Sequence, residues 1–354
     1  MTLHVPDTAG VTPASRVAAD SDAFAEQCER AWSEYRTWLC EELERRVGLV
    51  QGEPGEITRH ALLPPGKMVR PILLLESAAA VGGRPDQALP AAVGVEYAHV
   101  ASLVHDDIID RDEIRRGRPS VQHRYGTEKA ILIGDMLIVG AFDCLSSCAE
   151  RGMPDARIVA ALRLMCEFEE KAGKGVVLEV NLVGDASCEV STYLEMIEAK
   201  TASLFRVACE SGAVLGGGGR TEVESLGRFG TELGMAFQIV DDLLPFVSTS
   251  ATAGKSALSD LRNRRPTLPV LLAYRAARRR ERILVEKVLA GVVPPMVAYP
   301  LIRAVLRRTG AVDRALRMAE DHVDTARAAL TALPDSPARR RLARVLDQVT
   351  HRVR

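Results

Sequence analysis

Two pairs of adjacent aspartates, each inside an otherwise apolar segment, constrain the fold of this chain more than any other feature. Asp106 and Asp107 lie in VASLVHDDIID, and Asp241 and Asp242 lie in GMAFQIVDDLLPF. A buried carboxylate needs a counter-charge or a raised pKa, so the two segments are expected to face a common polar site. Asp110 lies four residues after Asp106, which places both on one face of a helix with a rise of about 6 Å between them.

The rest of the sequence is dominated by the helical period. Ala, Leu, Arg and Glu fill long segments, and two-residue alternation is scarce. No fixed-period repeat or β-rich block marks a second domain. We therefore predict an all-α protein, a single large helical bundle around a central elongated cavity over residues 21–354, preceded by a flexible segment, residues 1–20. Turn signals separate the helices expected at 22–50, 70–82, 87–112, 128–150, 155–182, 190–215, 221–247, 266–290, 296–308 and 311–352.

Charge and composition exclude several classes of function. Lys and Arg total 46 against 47 Asp and Glu, for a net charge of −1, which excludes a broad basic footprint for nucleic acid. No apolar run reaches the roughly 18 uninterrupted residues of a membrane helix, and the first residues lack the pattern of a signal peptide. The seven cysteines are scattered without a CxxC pair, which favours free thiols over disulfides or zinc ligands. We expect a cytoplasmic protein without nucleic-acid partners or stable membrane insertion.

The acidic pairs are typical of a magnesium site. Carboxylates without Cys, and without His at ligand spacing, favour Mg²⁺, with Mn²⁺ as a substitute, over zinc. Mg²⁺ takes one or two carboxylates and completes its shell with water and substrate phosphate, which predicts a phosphorylated ligand between two helices. Neither GxxxxGK[ST] nor GxGxxG is present, which argues against a nucleotide. For the first pair an ordinary charged helix end is the alternative, because Arg111, Arg115 and Arg116 follow it.

Basic residues occur where phosphate would need them. Six lie beside glycine turns or the acidic pairs: Lys67, Arg70, Arg115, Arg116, Lys200 and Lys255. Metal ions activate a diphosphate to leave by absorbing its developing charge, whereas Arg and Lys alone only anchor it. The combination predicts two diphosphate substrates, of which one ionises to a carbocation that an apolar cavity must keep from water. Thr201 and Gln238 are placed in sequence to stabilise that cation through their dipoles.

Taken together, these segments resemble the trans-isoprenyl diphosphate synthases of the polyprenyl synthetase family. The motifs follow the family order between about Glu26 and Thr350: GKMVRP, EYAHVASLVHDDIID, RRGRPSVQHRYG, AILIGDMLIVGAF, KTASLF, FQIVDD, and GK followed by DLRNRRPTLP. The resemblance implies a chain-elongating prenyltransferase that condenses isopentenyl diphosphate with an allylic diphosphate, most like a geranylgeranyl diphosphate synthase. It also implies a homodimer.

The resemblance further implies a role for each motif residue. The metal ligands would be Asp106, Asp110 and Asp241, supported by Asp107 and Asp242. The allylic diphosphate would be held by Arg115, Lys200 and Lys255, and isopentenyl diphosphate by Lys67, Arg70, His99 and Arg116. Thr201 and Gln238 would stabilise the cation, and the released diphosphate would remove the proton, so no protein base is expected.

Three positions depart from the family pattern. The second acidic motif usually reads DDxxD, but its last position is Pro245, which cannot ligate a metal. We expect this to weaken metal binding without abolishing it, because the first aspartate makes most of the contact in the family. The GGKRxRP segment has lost one glycine and one basic residue, and Arg264-Arg265 replaces Gly-Lys before the TLP segment. Arg265 supplies the lysine's charge in a different geometry.

Small residues precede the first acidic pair on its helix face. Ala101 and Ser102 lie one turn below Asp106, and Ala98 lies about one turn lower, with Gly94 or Val95 below that. Without a bulky aromatic there, we expect a product of twenty carbons or more. The stop would come from Phe142, from Phe168 or from a partner subunit. Close helix packing is the alternative explanation of these small residues.

Other functions share some of these features. A class I terpene cyclase uses similar metal chemistry on one diphosphate, but its second motif needs a hydroxyl and a Glu where this chain has Pro245 and Thr249. A di-iron carboxylate protein would use Glu96 and His99 as one ExxH pair, and no second ExxH follows. A longer-chain polyprenyl synthase and a non-catalytic regulatory subunit are the remaining alternatives.

Overall fold

The structure, a computed structural model, describes the backbone of residues 13–247 and 258–350 and the side chains of residues 24–247 and 258–349. It confirms the all-α prediction. The helices are α1 Pro13–Val47, α2 Gly52–Leu62, α3 Val69–Ala80, α4 Pro85–Asp110, α5 Val121–Tyr125, α6 Thr127–Ser146, α7 Asp155–Leu182, α8 Val190–Ile197, α9 Ser203–Gly216, α10 Arg220–Val247, α11 Leu268–Ala276, α12 Arg279–Leu289, α13 Pro295–Thr309, α14 Ala311–Ala329 and α15 Pro337–Thr350. Residues 1–12, most of the expected flexible segment, lie outside the described residues.

Helix α4 runs through the centre of the bundle. Its residues from Ala88 to Ala98 are almost all buried, because α3, α6 and α9 pack around it. Small residues bring α4 and α6 close together: a Cβ on Gly94 would lie 2.8 Å from the carbonyl oxygen of Ala141. The helix ends at Asp110, where Arg111 adopts the left-handed conformation with φ of 55°. The first acidic motif therefore lies at the end of a deeply packed helix.

The structure differs from the predicted elements in four places: two elements were not predicted, and two predicted helices are divided. Helix α2 follows α1 where no helix was predicted, and short antiparallel strands, β1 Ile114–Arg115 and β2 Arg118–Pro119, form a hairpin. The helix expected at 266–290 is divided at Ala277, whose extended backbone (ψ of 151°) ends α11. The helix expected at 311–352 is interrupted by a 3₁₀ turn, Leu330–Ala332, and restarts with a proline. Proline suits the first helical position because its missing N–H would have no intrahelical partner there.

A π-helical turn, Glu198–Ala202, joins α8 to α9 and carries the KTA segment. Such wide turns are frequently found at functional sites. Helix α7 packs directly against this turn, since a Cβ on Gly175 would lie 2.6 Å from the backbone nitrogen of Lys200. The close approach fixes Lys200 and Thr201 beside α7.

Helix α6 has one exposed apolar face. Leu132 and Val139 expose 61% and 69% of their surface, and Met136 lies between them on the same face. By length and composition, Thr127–Arg151 is the one stretch of the described chain that could cross a membrane, and 39% of its apolar window is buried. The opposite face packs on α4. The expectation of no stable membrane insertion stays a prediction.

Candidate active site

A cavity of about 950 Å³ opens between α4, α6, α7, α9 and α10. Both acidic motifs contribute to its wall, through Asp106 from α4 and through Asp241 and Asp242 from α10. One aspartate of the first pair and both of the second therefore line the same cavity. Other predicted site residues line it as well: Lys200, Thr201, Gln238, Ala98, His99, Ala101 and Ser102.

Two cations lie between the carboxylates at the mouth of the cavity. Nζ of Lys200 is 3.2 Å from Oδ1 of Asp106 and 2.5 Å from Oε2 of Glu179. Nη2 of Arg265 is 2.5 Å from Oδ1 of Asp110 and 3.6 Å from Oε1 of Glu179. Burial alone would lower the pKa of Lys200, but the Asp106 and Glu179 carboxylates outweigh it and raise that pKa. Both cations therefore stay charged where a diphosphate would bind.

Asp110 lies at the edge of this group. Burial raises the pKa of its carboxyl to about 6, and the Arg265 guanidinium offsets part of that rise. Asp260, which lines the same cavity, has a pKa raised to about 7 by burial and by the charge of Asp242. The carboxylates are thus crowded in a partly desolvated space, where added positive charge is favourable.

Asp242 is held by three hydrogen-bond donors. Its carboxylate accepts from the hydroxyl of Tyr193, from Nε2 of Gln238 at 3.0 Å and from the backbone N–H of Leu268 at 3.3 Å. These donors fix the orientation of the Asp242 carboxylate, and its predicted supporting role at the metal stays a prediction. Gln238 in turn accepts a 3.0 Å hydrogen bond at Oε1 from the Thr201 hydroxyl. Asp242 therefore positions the two predicted cation-stabilising residues.

Asp107 and Arg115 do not reach the cavity. One residue further along α4 turns a side chain by about 100°, so the buried Asp107 carboxylate faces the hairpin and accepts a 2.7 Å hydrogen bond from Nε of Arg115. Arg115 also lies 3.2 Å from Asp112. In this arrangement Asp107 and Arg115 pair with each other, and the roles predicted for them at the metal and at the allylic diphosphate stay predictions. Lys255 lies outside the described residues.

The cavity mouth offers oxygen ligands suited to a hard divalent cation. The predicted ligands Asp106 and Asp241 line it, and Asp110 borders it beside Arg265. Within the described residues, no three His, Cys, Asp or Glu side chains are close enough together to bind a metal by themselves. An ion at this site therefore needs further oxygens from water and from a phosphate ligand, as Mg²⁺ commonly does.

A second pocket of about 400 Å³ adjoins the first. It contains the four residues predicted to hold the second diphosphate: Lys67, Arg70, His99 and Arg116. Arg70, His99 and Phe237 line both pockets. The two pockets are thus neighbours, one lined by carboxylates and cations and the other mainly by cations.

The electrostatics of the second pocket favour an anion. Burial lowers the pKa of Arg70 to about 10, which keeps its guanidinium charged, 4.3 Å above the Phe205 ring. Burial, aided by the Arg70 charge, lowers the pKa of His99 well below its ordinary value. The neutral ring lies 3.3 Å from Nη1 of Arg70. Nη2 of Arg116 is 3.7 Å from Glu96, so both members of the ExxH pair, Glu96 and His99, lie beside arginines.

The wall of the cavity is less apolar than the sequence suggested. Phe168 lines it, as one of two predicted stops, whereas Phe142 does not. Three polar side chains that sequence analysis did not place there also line the wall: His105, Asp135 and Glu169. Sequence analysis also missed Glu179 and Tyr193. Glu179 could have been found by the rule used for the aspartates, because it interrupts the apolar run VVLEV.

The comparisons with known proteins agree on one family. Residues 54–292 match the family model described as polyprenyl synthetase. The chain is 36% identical to a short chain isoprenyl diphosphate synthase from Methanothermobacter thermautotrophicus, over 83% of this chain and 89% of that protein. It is 34% identical to a geranylfarnesyl diphosphate synthase from Aeropyrum pernix, over 83% and 93%. The crystal structure of a geranylgeranyl pyrophosphate synthetase from Pyrococcus horikoshii superposes with a TM-score of 0.82 and 30% identity, covering 92% of this chain and 98% of that one.

Proposed function

Because this chain belongs to the polyprenyl synthetase family, we propose that it extends an allylic diphosphate with isopentenyl diphosphate to give geranylgeranyl diphosphate. It is a trans-prenyl diphosphate synthase, a transferase. We also propose a product length and a metal, which the site supports, and an oligomeric state, which the surface of α6 supports.

The observation that carries the proposal is the pair of adjoining pockets. Asp106, Asp241 and Lys200 line the larger one, and Arg70 and His99 line both. Carboxylates beside cations suit a diphosphate that must leave, whereas a pocket dominated by cations suits one that is retained. A terpene cyclase has no use for the second site, so the arrangement favours chain elongation over that alternative.

We propose that Asp106, Asp110 and Asp241 hold Mg²⁺, or Mn²⁺ in its place, together with oxygens of the allylic diphosphate. The bound ions would neutralise charge on the departing diphosphate. Lys200 and Arg265 lie beside the same carboxylates and would contact the diphosphate directly. The Thr201 hydroxyl and the Gln238 carbonyl, which share a hydrogen bond, would orient their dipoles toward the allylic cation.

The proposed twenty-carbon product is supported by the open upper wall. Ala98 and Ala101 line the cavity without closing it, and Phe168 lies lower on α7. Relatives carry names for both shorter and longer products, so this length depends on the wall residues of this chain. Synthesis of longer polyprenyl diphosphates is the alternative.

A homodimer is supported by the exposed apolar face of α6. Leu132, Met136 and Val139 would be removed from water if a second copy packed on this face, as exposed apolar patches commonly do. A molar mass of one chain by light scattering would contradict this proposal. The cytoplasmic location stays a prediction from sequence.

The test of function uses purified protein with Mg²⁺, isopentenyl diphosphate and each of the short allylic diphosphates in turn. We expect a sharp twenty-carbon product after dephosphorylation. A ladder extending much higher would indicate a longer-chain synthase. Hydrocarbon formed from one long diphosphate without isopentenyl diphosphate would indicate a cyclase, and turnover only with a second synthase would indicate a regulatory subunit.

A further inference from the structure

The wall of the large cavity carries one carboxyl side chain that the proposed chemistry does not use. Glu169 of α7 lines the cavity beside Phe168, Ala172 and Gly173. Its Oε1 is shielded from solvent and accepts a hydrogen bond from none of the described residues. Glu179, on the same helix, instead contacts both Lys200 and Arg265. An unpaired carboxyl in a partly apolar wall is costly to keep, which calls for a functional explanation.

The position of Glu169 places it at the hydrocarbon end of the cavity. Helix α7 is continuous from Asp155 to Leu182, so the ten residues from Glu179 to Glu169 span about 15 Å at 1.5 Å per residue. Glu179 marks the diphosphate end, because it shares Lys200 with Asp106. On α4, Ala98 lies about 12 Å below Asp106 by the same rise. Glu169 is therefore at or below the level of Ala98, where only the far end of a prenyl chain would reach.

The electrostatic surroundings of Glu169 are consistent with a carboxyl that depends on water. Burial raises its pKa to about 7, and no neighbouring charge contributes to that rise. No cation compensates the ionised form and Oε1 is shielded, so water in the cavity can hydrate the carboxyl through Oε2 alone. A growing hydrocarbon chain would displace that water.

We propose that Glu169 is a product-length determinant: elongation stops when the next five-carbon unit would strip the Glu169 carboxyl of its water. Burying each added unit is favourable, but removing the last hydration of an unpaired carboxyl opposes it. The small residues Ala98 and Ala101 leave the α4 side of the cavity open to a growing chain. A polar group, in addition to the Phe168 ring, is therefore needed to stop chain growth. This inference rests on the proposed prenyl-elongating function.

The test compares the products of Glu169→Leu, Glu169→Gln and the wild type. Leucine removes the carboxyl at similar volume, and glutamine keeps the shape while removing the charge. Glu170→Leu is the matched control, because the neighbouring Glu170 is exposed and pairs only with Lys174, one turn along the outer face. Each protein is incubated with Mg²⁺, isopentenyl diphosphate and farnesyl diphosphate, and the dephosphorylated products are sized.

We expect Glu169→Leu to lengthen the main product by at least one five-carbon unit and Glu169→Gln to shift it in the same direction. Glu170→Leu should match the wild type. Unchanged product from both Glu169 variants would overturn the inference. A shift with leucine alone would also overturn it, because side-chain shape rather than charge would then set the length.

If Glu169→Leu does not fold, Glu169→Gln decides the question. A wild type that consumes no isopentenyl diphosphate would instead refute the proposed function itself.

Discussion

Nη2 of Arg265 lies 2.5 Å from Oδ1 of Asp110, at a position where the family usually has a lysine. The planar guanidinium also lies 3.6 Å from Glu179, so it bridges α4 and α7 at the mouth of the cavity. Arg265→Gln would remove a fixed cation from the diphosphate site. We expect kcat/KM for the allylic substrate to fall by about 100-fold, the usual effect of losing one preorganised donor.

Arg265→Lys is the matched control for charge. It keeps the cation but replaces the planar guanidinium, whose Nη2 lies near both carboxylates, with a compact ammonium, so we expect a smaller loss than with glutamine. Steady-state kinetics with varied allylic diphosphate distinguish the two variants. Equal activity of Arg265→Gln and the wild type would contradict a contact between Arg265 and the diphosphate.

The Tyr193 hydroxyl gives a second prediction. It donates to Asp242, which also accepts from Gln238, and Tyr193→Phe would leave one buried carboxylate oxygen without that donor. Loss of a hydrogen bond to a charged group costs roughly 1.5–3 kcal/mol, so we expect a lower melting temperature. We also expect kcat to fall while KM for isopentenyl diphosphate is unchanged, because Gln238 is proposed to stabilise the allylic cation. An unaltered kcat would show that Asp242 does not need this donor to position Gln238.

The pKa of Asp110 predicts how metal dependence changes with pH. Burial raises that pKa to about 6, so below this pH a proton competes with a cation for the carboxylate. The Mg²⁺ concentration for half-maximal rate should therefore rise as pH falls through 6, and excess Mg²⁺ should restore the rate. The measurement is a series of Mg²⁺ titrations between pH 5 and 8. A half-maximal concentration independent of pH would contradict a role for Asp110 as a ligand.

Ala101→Phe tests the upper wall of the cavity. Ala101 is buried on α4 one turn below Asp106 and lines the cavity, so a phenyl ring would occupy space needed by the growing chain. We expect shorter products, mainly fifteen carbons, with isopentenyl diphosphate still consumed. Product sizing and circular dichroism together separate a blocked cavity from a misfolded bundle. A folded variant with an unchanged product would remove the proposed link between Ala101 and chain length.

Sequence reasoning located those site residues for which the helical period and the apolar neighbours predict the same inward direction. Asp106 and Asp241 lie in apolar segments, so their inward direction followed from the 3.6-residue repeat. The same logic could not place Asp107, because its partner Arg115 comes from the β1–β2 hairpin. That hairpin is too short to give a periodic pattern in the sequence. Glu169 was missed because its neighbours, in CEFEEK, are also charged, and a charged run does not reveal which side chain points inward.

The most direct test of the central claim is the Mg²⁺ dependence of isopentenyl diphosphate incorporation in wild type, Asp106→Ala and Asp241→Ala. The claim is that carboxylates from α4 and α10 act on one diphosphate across the cavity they share. We predict no product from the wild type in EDTA and a loss of at least about 1,000-fold in kcat for each variant, corresponding to about 4 kcal/mol, with the helical circular dichroism signal retained. Wild-type turnover in EDTA, or folded variants that both keep wild-type rates with Mg²⁺, would contradict it.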